Sequence, residues 1–171
     1  VPEEMYVRET RRVLGRHILT EHDLATDART GQTRSFADAI AFTNWYMDSH
    51  SCSHDGTFGE PPSESYPYDG KLILTADLAP GQIPFRCLVP QGLDNLLVSV
   101  CISSTHVAWG AIRLEPVLVH LGEVAAIAVA EAHARGIDPG TLEGEDVAQA
   151  VSDRGVQVSF SGATPSASPP S

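Results

Sequence analysis

The chain has 171 residues, 42% of them hydrophobic, and a formal net charge of -11. That length suits one domain, or a domain and a fragment, with enough apolar residues for a core. So acidic a surface repels nucleic acid and anionic membranes, so neither is an expected partner. The three cysteines, Cys52, Cys87 and Cys101, are too sparse and odd in number for a disulfide framework.

Residues 5–24 read as a helix or extended segment carrying Arg8, Arg11, Arg12 and Arg16, with Thr20 and Asp23 spaced to cap a short turn. A polar loop is expected over 25–35 and a buried strand within 36–48. Residues 49–70 are rich in Gly, Pro and Ser, a loop long enough to be functional or disordered. Further strands are expected over 71–75, 83–89 and 95–103. The last contains the run LLVSVCI, the pattern of a strand covered on both faces, as in a parallel sheet. A polar turn over 103–106 leads to the strongest helix, 111–134, with Gly136 placed to stop it. That helix is apolar nearly all round, with Gly122, Ala125, Ala126 and Ala128 at its middle. It is expected to be buried, with its backbone close to its neighbours. Arg113, Glu115, Glu123 and Glu131 interrupt it as a membrane span. A last amphipathic helix, 141–153, stops at Gly155, and 156–171 is a flexible tail rich in Ser, Pro and Ala at its end. The order is that of an α/β fold. Too few elements precede the apolar strand and helix to cover both of their faces, which implies a surface supplied by another segment or chain.

The chemistry centres on the junction of that strand, the turn and that helix. The first N–H groups of a helix are unpaired and its start carries partial positive charge, so a strand–loop–helix junction can hold an anion or a dipole. An ordinary tight link between two core elements has the same appearance. His106 sits in the turn, either as a structural histidine or as a group able to accept a proton near neutral pH. Arg8, Arg11 and Arg12 can hold a carboxylate or polar substrate, or pair with the chain's own Asp and Glu. His50, Cys52 and His54 alternate as zinc ligands can on a strand, but no fourth ligand is evident and no metal is expected. Cys101 reads as a small core residue.

Residues 95–116 (NLLVSVCISSTHVAWGAIRLEP), continuing into 121–126 (LGEVAA), closely resemble the C-terminal flavin motif of a bacterial family of FAD-dependent oxidoreductases, within the glutathione-reductase-like superfamily. Three more blocks are similar in the same order: 8–15 (RETRRVLG), 38–50 (DAIAFTNWYMDSH) and 83–90 (IPFRCLVP). The resemblance implies the C-terminal part of a Rossmann-like flavoprotein, with substrate-domain elements over 1–90 and a flavin-side strand and helices over 91–155. It implies FAD as cofactor, held by Ser104, Thr105, Gly110, Ala111, Ile112 and Arg113. A small organic substrate would be oriented by Arg8, Arg11, Arg12 and Asp48, with His106 or His50 as proton acceptor. Hydride transfer would run to or from flavin N5. The family's G-x-G-x-x-G fingerprint, which cradles the FAD pyrophosphate, has no counterpart in the chain, so a preceding segment or another chain is expected to carry it. The alternative is a non-catalytic structural or binding subunit, or a truncated product unable to hold FAD alone. The sequence names no compartment, and the cytoplasm is favoured over the others.

Overall fold

The computed structural model describes residues 9–49, the backbone of 72–74, and residues 79–158. Four helices and four short strands are defined there: α1 (Glu21–Leu24), β1 (Ala39–Thr43), β2 (Met47–Ser49), β3 (Leu72–Leu74), β4 (Gly81–Pro84), α2 (His106–Ile112), α3 (Glu115–Arg135) and α4 (Gly144–Asp153). The strands pair antiparallel as β1 with β4 and β2 with β3.

Thr20 and Asp23 do cap α1. The Asp23 carboxylate accepts from the Thr20 amide at 2.9 Å and from its hydroxyl at 3.1 Å, with His17 at 3.1 Å and Arg34 at 3.0 Å. Burial acts to raise the carboxyl's pKa, but the Thr20 amide, His17 and the Thr20 hydroxyl outweigh it and hold the pKa below the usual 3.8. A depressed folded pKa adds stability above the unfolded value, and that stability is lost as pH falls through the folded one. Asp23→Asn is therefore expected to cost about 1.5 kcal/mol at neutral pH. The deficit should shrink toward zero below pH 3.8 in urea melts run across the acid range.

One core draws on both sides of residue 90, including Leu19, Ile40, Ile83, Ile102, Ile112 and Leu121. Cys87 lies inside it, and burial, with Asp38 and Asp23 nearby, pushes its thiol pKa far up, so it is chemically quiet. Among the described residues Cys87 and Cys101 are unpaired by any disulfide.

The expected strand over 83–89 is β4 followed by a 3-10 turn at Phe85–Cys87. The segment 95–103 is not a strand. Its groups bond to irregular stretches on two sides: Val98 N–H to Leu88 O, Ser103 N–H to Cys87 O, and Cys101 O from Val13 N–H. Those contacts follow no ladder register, so no parallel sheet forms among the described residues. Leu96 is 43% and Val100 56% exposed, so the apolar run is not covered on both faces. Cys101 is half-buried rather than a core residue.

The expected single helix is two. Pro116 has no N–H to give Ile112, and its ring would crowd that carbonyl. α2 accordingly ends at Ile112, and α3 restarts at Glu115 with Pro116 in its first turn. α3 is buried along one stripe, Leu121, Val124, Ile127, Ala128 and Ala132, against β1 and α4, while Val119 is 74% exposed. A Cβ added at Gly122 would meet nothing within 4 Å, so the expected close backbone approach does not occur at that glycine. By length and mean hydropathy (1.4) alone, α3 is sufficient to cross a membrane despite its charges, a test that core helices also pass. Gly136 (φ 67°) and Gly155 (φ 77°) end α3 and α4 in the left-handed conformation that favours glycine.

Candidate functional site

α2 is held edgeways against β1 and β2. The Thr43 hydroxyl donates to Ala111 O at 2.6 Å, and a Cβ on Gly110 would lie 2.6 Å from the Asp48 carbonyl carbon and oxygen. Gly110 therefore serves close packing of helix on strand, and Ala111 and Ile112 are core residues beside it. The Thr105 hydroxyl accepts from Ala108 N–H as the N-cap of α2 and donates to Glu21 at 3.0 Å. The Ser103 and Ser104 hydroxyls are buried without a hydrogen-bond partner among the described residues.

Arg113 caps the end of α2, and its guanidinium meets Asp48 at 3.0 Å, with both side chains mostly buried. This pair joins two residues that the sequence singled out separately. Beside it, a cavity of about 210 Å3 is lined by Arg11, Arg12, Cys101, Trp109, Arg113 and Glu115, among others. The start of α3 borders this cavity and no side chain caps it. The helix dipole at the cavity is thus that of α3 from Glu115, not that of a helix beginning near Ala111.

His106 is the first residue of α2, and its side chain is 36% exposed. Its Nδ1 lies 2.8 Å and 2.7 Å from the two carboxylate oxygens of Glu9. Glu9 also pairs with Arg12, whose Nε donates to Ser104 O at 2.9 Å. Arg12 thus has an internal partner, while Arg11 is exposed with no ion pair among the described residues. Glu9 lay inside a recognised block, but nothing local in the sequence marked it as the mate of His106, which is 97 positions away. Arg8, His50, Cys52 and His54 lie outside the described residues.

A second cavity, about 480 Å3, opens by Arg16, Arg34, Asp38, Arg86 and the start of α4. None of the expected site residues lines it, and its arginines are already paired with Asp94, Asp23 and Asp38.

The smaller cavity, with three guanidinium groups, a helix start and the Glu9 carboxylate that holds His106, is suited to a polar or anionic ligand group. A sequence model of the family described as FAD dependent oxidoreductase matches residues 1–151, and the chain belongs to that family. It is an FAD-dependent protein of the oxidoreductase kind. No curated protein and no solved structure matches it.

The guanidinium groups of Arg11, Arg12 and Arg113 outnumber the carboxylates of Glu9 and Glu115 around the cavity, and with the uncapped start of α3 they fit the polar edge of a flavin. The cavity is smaller than the roughly 300–1,000 Å3 typical of ligand sites, so it suits one end of FAD, not the whole.

Proposed function

We propose that the chain forms the flavin-reactive side of a glutathione-reductase-like oxidoreductase that moves a hydride between a small organic substrate and flavin N5. The observation that carries this reading is one cavity lined by Arg113, the start of α3 and Glu9, the carboxylate that pairs with His106, in a chain of an FAD-dependent family. Bound FAD supplies the two-electron chemistry. The Arg113 guanidinium and the start of α3 would hold the flavin's pyrimidine edge, where both favour negative charge. Asp48 holds Arg113 in place for that task.

His106 accepts the substrate's hydroxyl proton, with His50 as the alternative acceptor. Arg11, free of an internal ion pair among the described residues, meets the substrate, with Arg8, Arg12 and Asp48 organising the site. Ser104 and Thr105 shape the turn beneath the cofactor, and Gly110, Ala111 and Ile112 back it from the core. The adenine and pyrophosphate are gripped by a separate segment carrying the dinucleotide fingerprint.

A non-catalytic subunit is the second reading, favoured by the lack of any G-x-G in these 171 residues. Titrating FAD into the chain while following flavin fluorescence separates the cases. Weak binding that tightens when a fingerprint-bearing segment is supplied is the expected result. Tight stoichiometric binding by the chain alone defeats the two-part reading, and no binding under either condition favours the non-catalytic one.

A further inference from the structure

We infer that Glu9 is a positioning residue that sets the tautomer of His106, leaving Nε2 as the proton-accepting atom. This deepens the function proposed above and rests on His106 being the proton acceptor there.

An ionised carboxylate can only accept hydrogen bonds. With Glu9 oxygens at 2.7 and 2.8 Å from Nδ1, a neutral His106 must carry its hydrogen on Nδ1 and donate it to Glu9. The lone pair is then on Nε2, at the opposite edge of the ring. A base can take a proton only at the nitrogen that lacks one, so the choice of tautomer is the choice of reacting atom.

Glu9 is itself fixed. Arg12 pairs with it, and the same guanidinium is tied through Nε to the carbonyl of Ser104, two residues before His106. Arg12 has only hydrogens to offer, so it locks Glu9 in the accepting role. The unit closes on itself: Ser104 anchors Arg12, Arg12 holds Glu9, and Glu9 orients His106. His106 is also fixed at its backbone, because Thr105 caps the helix that it opens. A ring held at both its backbone and Nδ1 has one well-defined direction in which to present Nε2. This gives the arginine-rich segment a task beyond substrate contact: Arg12 works through Glu9 on the histidine.

The test reads the tautomer directly, by nitrogen-15 NMR of the imidazoles in the full chain near pH 8. The His106 signals are assigned by their loss in His106→Asn. In the unmodified chain the Nδ1–H form should dominate. In Glu9→Ala that dominance should be lost. Glu9→Gln keeps the size of the side chain and serves if the alanine variant does not fold. Arg12 draws the amide oxygen, which turns the amide N–H2 toward Nδ1 and again reduces the Nδ1–H form. Dominance of Nε2–H in the unmodified chain, or an unchanged Nδ1–H population in both Glu9 variants, overturns the inference.

The FAD-loaded protein supplies the second readout. Glu9→Ala should lower kcat, by up to the roughly 100- to 10,000-fold that general-base help supplies, with KM little changed. An unchanged kcat overturns the positioning role. If instead His106→Asn leaves turnover intact while the tautomer responds to Glu9 as described, it is the proton-acceptor assignment that fails, and the Glu9–His106 coupling stands.

Discussion

His106→Asn, in the chain joined by its fingerprint-bearing segment and loaded with FAD, is expected to slow flavin reduction by about 100- to 10,000-fold while leaving flavin content unchanged. His106 opens α2, where its backbone conformation is set by the Thr105 cap rather than by its own ring. Asparagine can occupy that position without disturbing the helix, and its amide can still reach Glu9. The one capacity it lacks is that of a neutral base. A purely structural histidine makes the opposite prediction: lower stability and lost flavin, with the rate per bound flavin nearly intact. Flavin absorbance measures content, and a single-turnover reduction measures the rate, so the two roles separate in one experiment. Near-normal reduction in a fully loaded variant removes His106 from the reaction and leaves His50 as the acceptor.

The parts of this fold legible in the sequence are those whose causes are local. The Thr20–Asp23 cap is a contact between residues three apart, and Gly136 and Gly155 stop their helices through their own backbone angles. The break between α2 and α3 was equally local. Pro116 stands four residues after Ile112, but the apolar pattern runs across it and suggests one helix. The run over 96–102 misleads for a different reason. Continuous apolarity reports what could be covered, not whether a strand lies alongside, and Leu96 and Val100 are exposed here.

Of the contacts about the smaller cavity, the sequence marks single members but not the pairs. His106, Arg12, Arg113 and Asp48 all stand out by type and place. The chain separation of Arg113 from Asp48 is 65 positions and of His106 from Glu9 is 97, and no spacing rule reaches that far. Glu9 is one of 22 acidic residues, and only the fold distinguishes it from the other 21.

Gly110 and Gly122 are two helical glycines for which the structure predicts alanine effects of opposite sign. Alanine is the better helix former by about 1 kcal/mol, so propensity alone favours both substitutions. At Gly122 an added Cβ meets nothing within 4 Å, and that gain should be realised in full or in part. At Gly110 the new Cβ would lie 2.6 Å from the carbonyl carbon and oxygen of Asp48 and 2.8 Å from its amide nitrogen. These are backbone atoms of β2, so no rotamer change can relieve the clash. Either α2 or β2 has to move. The first is tied to β1 by the bond from Thr43 to Ala111, and the second to β3 by its ladder. Movement of either also pulls on the Arg113–Asp48 pair at the cavity edge. Overpacking of this kind costs about 3 kcal/mol, which exceeds the propensity gain and leaves a net loss of about 2 kcal/mol. For a chain of this size that corresponds to a fall in Tm of roughly 4–8 °C. Thermal and urea melts of the two variants beside the unmodified chain decide it. A Gly110→Ala variant as stable as Gly122→Ala would mean that α2 does not ride on the backbone of β2 as closely as described.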